Sequence, residues 1–407
     1  MHDMRTTLII ILSHAMTRIA IFLSVFASTL AVMIIMPILA PLIRAMGLSE
    51  SQGGWMISIG SMIMAATGAW WGAKSDHWGR KAVILAGFAG LCVSYAVYAV
   101  VIDLGLKGVL VGVPLLAALF AGRAFVGAFL PAAPAAAQAY MADTTTAETR
   151  SAGMALIGAA SGLGMIAGPA QGGALALRGL IWPMVLASVL PVLAFVMVAL
   201  VVPRTPPKER STTHRLSPFA PAVRGWLLIG LLLMLTIVTL QISAGFYVQD
   251  RLNLSGSETA RFLALSLSLV GLLLVATQTV QMKLLKWAPR RLVRAGAPFL
   301  MISLLVLLFT ASRATYAGAY ALFGVGAGLV IPGYMSGVSL AVDQDRQGAA
   351  AGLVTLMQGV AAIIAPLGST LLYERAPGLP FAVAAVLCAG VILVGLLVAP
   401  AGRVGET

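Results

Sequence analysis

An all-α integral membrane protein, with twelve transmembrane helices in two six-helix bundles, is the fold class that three features of the sequence predict. The 407 residues are 60% hydrophobic and only 10% charged. With a mean hydropathy of +0.99, the chain holds more apolar surface than a water-soluble core absorbs. Long apolar runs recur twelve times, each about 20–30 residues long and so long enough to cross a bilayer as helix. The basic residues between the runs collect on one side of the membrane when the runs are numbered alternately.

The first run spans about 19–43 and carries Pro37 and Pro41 near its outer end. Its lead-in holds Arg5, His14 and Arg18. It has no small-residue cleavage pattern, so it reads as an uncleaved first helix. The second run spans about 53–71, and the third reaches about residue 102. The fourth, 111–141, is long and Ala-rich, with Arg123 inside it. The fifth and sixth span about 152–175 and 180–202. A basic, proline-rich stretch from Pro203 to Arg224 then breaks the pattern. Six further runs follow at about 225–248, 258–282, 292–312, 315–341, 348–372 and 378–399. The expected domains are therefore 1–203, a cytoplasmic linker over 204–224, and 225–407.

With both termini inside, cytoplasmic segments hold 18 of the 26 Lys and Arg residues and external segments hold 7. Arg123 is the remaining one. The net charge of +13 thus reflects topology rather than nucleic-acid binding. Cys92 and Cys388 fall inside apolar runs and read as small packing residues without metal-ligand spacing.

The two halves look related. Arg150 leads into the fifth run and lies 19 residues before Pro169; Arg346 leads into the eleventh and lies 20 before Pro366. Pro289-Arg290-Arg291 after the eighth run matches Gly79-Arg80-Lys81 after the second, with Lys286 where Asp76 would be. Such a parallel repeat is expected of a six-plus-six transporter.

Three constellations stand out. Gly72, Asp76, Gly79, Arg80 and Lys81 form a tight charged turn between the second and third runs, whose glycines permit close approach and positive φ. Gly164, Gly168 and Gly172 recur every four residues in the fifth run, with Pro169 and Gly173 beside them, giving one smooth helix face. Arg123 is the one basic residue well inside a run. Burying its guanidinium in hydrocarbon costs about 3 kcal/mol, so it should face an interior cavity, or else snorkel to the interface. No Asp or Glu sits mid-run; Asp250, at the outer end of the seventh, reads as a solvated loop charge. Gln138, Gln241, Gln278, Gln281, Gln358, Tyr247 and Tyr334 are polar positions that would line a central path, and Met33 and Met36 an adaptable apolar wall.

The pattern G-x-x-x-D-x-x-G-[RK]-[RK] at 72–81 resembles the signature loop of the major facilitator superfamily. The string G-P-x-x-G-G at 168–173 is similar to the antiporter motif of its drug:proton exporters, and Gly122-Arg123 through Gly127 to their span 4 motif. The resemblance covers essentially the whole chain. It implies that Asp76 pairs with a basic residue and with the start of helix 11, latching the halves together. It implies that Arg123 serves proton transfer or binding. It also implies a proton-coupled exporter that alternates access and needs no cofactor beyond the proton gradient. The chain departs from exporters of cationic drugs, which carry a carboxylate in span 1, where this chain has Val32 to Met36. A small amphipathic substrate, neutral or anionic, is therefore expected. A dedicated metabolite or siderophore exporter of the same fold is the alternative. A sensor or enzyme is disfavoured. His2, His14, His77 and His214 cluster with no nucleophile or metal set, there is no P-loop, and the runs leave no room for a sizeable soluble domain. The expected setting is the plasma (inner) membrane, as a monomer in contact with lipid, protons and a small molecule.

Overall fold

The apolar runs fold as helices, and the residues that interrupt them decide where each helix stops. The computed structural model describes residues 2–145, 150–204, 216–309, 312–343 and 346–398, and among these there is no strand. The order is α1 (His2–Met33), α2 (Leu39–Ala45), α3 (Glu50–Trp78), α4 (Arg80–Leu106), α5 (Gly112–Phe129), α6 (Ala132–Thr144) and α7 (Arg150–Ala176). It continues with α8 (Trp182–Val201), α9 (Pro221–Arg251), α10 (Gly256–Val280), α11 (Pro289–Phe309), α12 (Arg313–Leu340), α13 (Gln347–Arg375) and α14 (Leu379–Leu397). Among the described residues, ten helices or consecutive helix pairs are long and apolar enough to cross a membrane. The chain is a multi-pass membrane protein. Helices α3 and α7, 29 and 27 residues long, stand outside the ten.

Prolines break two runs that read as continuous in the sequence. α1 ends at Met33, a 3₁₀ turn covers Met36–Ile38, and α2 follows. Pro37 lacks the N–H that the α-helical ladder needs. The fourth run divides into α5 and α6 at Leu130-Pro131 for the same reason. The eighth run closes in a π turn, Gln281–Leu285, with Lys286 in the left-handed region at φ +46°. α9 begins at Pro221, so the last residues read as linker from the sequence are already helical. Linker residues 205–215 lie outside the described residues. α10 opens on a capping box, in which Ser255 and Glu258 each satisfy the other's backbone N–H.

By compactness the chain divides into two units. One comprises 1–36 and 59–210; the other comprises 37–58 and 211–407. The segment 37–58 thus groups with the second half of the sequence. In the first unit α1 packs on α7 and α8, and α4 packs on α5, α6 and α8. In the second, α11 packs on α12 and α14, α9 on α13 and α14, and α2 on α9 and α10. The second unit's core is aromatic, with Trp226, Phe246, Tyr247, Tyr316, Tyr320, Tyr334 and Phe381 all buried.

Candidate functional site

The charged turn is shorter than its sequence motif. α3 stays helical through Asp76 to Trp78, because charged and amphipathic side chains outside the hydrocarbon do not stop a helix. Gly72 is a helical residue with nothing near the position of a Cβ, so it makes neither the close approach nor the positive φ expected of it. Gly79 alone turns the chain, at φ +84°, a conformation that favours glycine.

The turn aims Arg80 back at α3. Its Nη1 donates to Asp76 Oδ1 at 2.6 Å and to Ser75 Oγ at 3.0 Å, and its Nε to Asp143 Oδ2 of α6 at 2.8 Å. The Arg80 side chain is only 10% exposed, so these charge-assisted bonds are partly shielded from water. Lys81 Nζ donates to the Ala199 carbonyl at the C-terminal end of α8, 2.8 Å away. In the second unit, Arg290 and Arg294 donate to the last carbonyls of α14: Arg290 to Leu396 at 2.6 Å, Arg294 to Gly395 at 3.1 Å and to Leu396 at 2.9 Å. Both units therefore place a cation at an exposed helix C-terminus, where the macrodipole is negative. Lys74 lies over the rings of Trp70 and Trp78, at 5.6 and 4.8 Å.

The glycine face of α7 meets α1. A Cβ at Gly164 would press on Thr29, one at Gly168 on Met33 and Ile34, and one at Gly172 on the Ile34 carbonyl. Pro169 lies inside α7, and Gly173 is buried. Small residues at this interface let the two backbones approach closely, which is how helices associate without a hydrophobic drive.

Arg123, on α5, is half-buried, and its side chain runs across Gly60 of α3. A Cβ at Gly60 would lie 2.8 Å from Arg123 Cγ and 3.0 Å from Nε. Gly122, next to Arg123 on α5, packs against the Tyr98 ring of α4. The Tyr95 hydroxyl is buried and has no hydrogen-bond partner among the described residues. One turn further along α5, Gly127 abuts the Gly60 backbone. The sequence pointed to Arg123 and Gly127 but held no reason to single out Gly60.

Of the polar path residues, two meet: Gln358 Nε2 of α13 donates to the Tyr334 hydroxyl of α12 at 3.1 Å. Tyr334 is buried against Gly230. Tyr247 is also buried, packed against Phe381 at 4.6 Å and Tyr316 at 6.1 Å, with its hydroxyl directed to the Leu308 carbonyl. Gln138 is exposed, while Gln241, Gln278 and Gln281 are half-buried.

Asp250 is not the solvated loop charge expected of it. It lies in the last turn of α9 and pairs with Arg44 of α2, both carboxylate oxygens accepting from the guanidinium at 2.5 and 2.9 Å. Tyr373 of α13 donates to Asp250 Oδ2 at 2.5 Å, and Glu50 accepts from Arg44 at 2.8 Å. The pair was detectable in principle: it joins opposite charges at the C-terminal ends of the first and seventh apolar runs.

The apolar helices, the cation-capped turns and the glycine-faced helix pair define a polytopic helical membrane protein. Residues 21–366 match the family model of the Major Facilitator Superfamily. The chain belongs to that superfamily, and it is a transporter rather than an enzyme. It is 27% identical over 356 residues to the class C tetracycline resistance protein of Escherichia coli, covering 84% of this chain and 85% of that protein. It is 27% identical over 366 residues to the class G tetracycline resistance protein of Vibrio anguillarum, covering 85% and 87%. Multidrug resistance protein 2 of Bacillus subtilis is 27% identical over 197 residues, 48% of this chain and 43% of that one. Among solved structures, the human organic anion transporter MFSD10 superposes with a TM-score of 0.67 at 20% identity, covering 94% of this chain and 99% of that one. The nucleoside transporter NupG gives 0.75 at 10% identity, covering 94% and 99%.

Proposed function

We propose that the protein is a proton-coupled exporter of a small amphipathic compound, neutral or anionic, working by alternating access. In this reading its helices form twelve spans in two six-helix bundles related by the parallel repeat, 1–203 and 225–407, joined by a linker over 204–224. It resides in the plasma (inner) membrane as a monomer with both termini in the cytoplasm. The proton gradient supplies the energy, and no bound cofactor is needed. The observation that supports export best is the Gly168-Pro169 to Gly172-Gly173 run seated on α1, in a chain similar over most of its length to resistance proteins.

The substrate class follows from charge. Arg123 is the one basic residue deep in a run, and its side chain lies over Gly60. No carboxylate stands mid-run to hold a cation. A guanidinium in that setting suits a carboxylate, an enolate or a polarised carbonyl. Tetracyclines, with their ionisable oxygens on an apolar ring system, fall within this chemical class. Asp76, Arg80 and Lys81 would act on the cytoplasmic side as a conformational latch.

Everted membrane vesicles test the reading. Cells expressing the protein should yield vesicles that accumulate a tetracycline or a hydroxamate chelator when the lumen is acid, and a protonophore should abolish the accumulation. Accumulation that ignores the proton gradient would refute the coupling.

A further inference from the structure

The turn from α10 to α11 falls where the sequence repeats the charged turn of 72–81, and its chemistry differs. In the first unit Arg80 shares its charge between Asp76 and Asp143. In the second, Lys286 stands where the acid would be, and no Asp or Glu occurs between Glu258 and Asp343. Residues 281–294 instead hold Lys283, Lys286, Arg290, Arg291 and Arg294. Arg290 and Arg294 are engaged by the last carbonyls of α14. Lys283, Lys286 and Arg291 are exposed, and among the described residues none of them pairs with a carboxylate.

Topology accounts for cations at the end of a span, but not for the apolar side chains set among them. Met282 is 71% exposed and Leu284 76%. Trp287 is half-buried, with the Arg291 guanidinium 4.3 Å from its ring centroid. One stretch long enough to cross a membrane ends at Leu285, and the next begins at Pro289. The turn therefore sits at the edge of the hydrocarbon, where apolar side chains meet acyl chains and cations meet headgroups. The backbone is shaped to hold this arrangement. α10 closes in a π turn over Gln281–Leu285, and the Lys286 N–H donates to the Gln281 carbonyl at 2.7 Å. Lys286 takes φ +46°, a left-handed conformation in which glycine is usual and lysine is strained. Strain of this kind collects at binding sites. α11 then begins at Pro289, which brings the positive end of its macrodipole to the same place.

We propose that the α10–α11 turn binds the phosphodiester headgroup of an anionic phospholipid through Lys283, Lys286 and Arg291, with Met282 and Leu284 against the acyl chains. Three cations without a carboxylate partner complement a phosphate. A guanidinium stacked on a ring keeps its in-plane N–H donors for that phosphate. The exposed apolar side chains select a lipid over a free anion. Placing the lipid in the cytoplasmic leaflet rests on the topology proposed above; the binding itself does not.

Native mass spectrometry of the purified full-length protein, titrated in micelles with phosphatidylglycerol or with phosphatidylcholine, tests the site. The native sequence should retain phosphatidylglycerol more tightly. Lys283→Gln, Lys286→Gln and Arg291→Gln should each weaken that retention about fivefold, the scale of one basic side chain at an anionic surface, and leave phosphatidylcholine unchanged. Lys286→Gly removes the charge while relieving the backbone, so a loss there cannot come from misfolding. Met282→Ser combined with Leu284→Ser should weaken retention of both lipids. Arg224→Gln and Arg346→Gln remove exposed cations elsewhere in the same unit and should change nothing. Equal retention of the two lipids by the native protein, or an equal loss in Arg224→Gln and Arg346→Gln, would overturn the assignment. Full displacement of the lipid by equimolar inorganic phosphate would overturn it as well. Each of these failures would leave the proposed transport function standing.

Discussion

The Arg123 side chain lies across Gly60, so closely that a methyl group at Gly60 would meet it at 2.8 Å. This contact constrains the path of the Arg123 side chain. Gly60→Ala should divert the guanidinium and lower transport several-fold at normal membrane abundance, because a side chain can move aside. Gly127→Ala should act differently. Its methyl would strike the Gly60 backbone, which cannot yield cheaply, and should cost about 1–3 kcal/mol in stability. Transport rates normalised to abundance, together with melting curves, separate the two effects.

The α7 glycines divide into tight and open positions. Gly172 abuts the Ile34 carbonyl, whereas at Gly158 an added methyl would meet nothing within 4 Å. Gly172→Val should abolish transport and reduce yield. Gly158→Ala should keep transport and raise stability by about 0.5–1 kcal/mol through helix propensity. Equal tolerance at both sites would contradict the close packing of α7 on α1.

Arg80 neutralises two carboxylates, so it should matter more than either. Asp76→Asn leaves Arg80 paired with Asp143 and should lower transport without blocking insertion. Arg80→Ala removes the cation that both acids share and should lose most transport, with a stability loss of about 1–3 kcal/mol, discounted from the buried-pair scale for their partial exposure. A double-mutant cycle on Asp76 and Arg80 should show coupling; independent effects would contradict the network.

The helix-capping cations should be interchangeable in kind. Lys81→Ala and Arg294→Ala should each cost about 0.3–1 kcal/mol, and Arg294→Lys should recover part of the loss. Thermal unfolding in low and high salt checks this, since the dipole term weakens with screening.

Much of this was legible in the sequence, and the misses share a cause. Hydropathy marks where a chain meets hydrocarbon, so the apolar runs located the helices. It does not mark where a helix ends. α3 therefore runs past Trp71 to Trp78, and Gly72 is an ordinary helical glycine. The same blindness hid the breaks at Pro37 and Pro131 inside runs that stay apolar throughout. The four-residue glycine spacing of α7 pointed to a close helix neighbour, but periodicity carries no information on which helix; the structure supplies α1. Arg44 and Asp250 stand 206 residues apart, each at the edge of a run, where a lone charge looks solvated. The grouping of 37–58 with the second half rests on such long-range contacts, and no local pattern reveals it.

Proton-coupled export of a neutral or anionic compound is tested most directly by proton release from the purified detergent-solubilised protein when compounds are added in cationic, neutral and anionic sets. Release is predicted with neutral or anionic compounds, and it should be lost in Arg123→Ala. Release with cations alone, or substrate binding with no release at all, would contradict this mechanism.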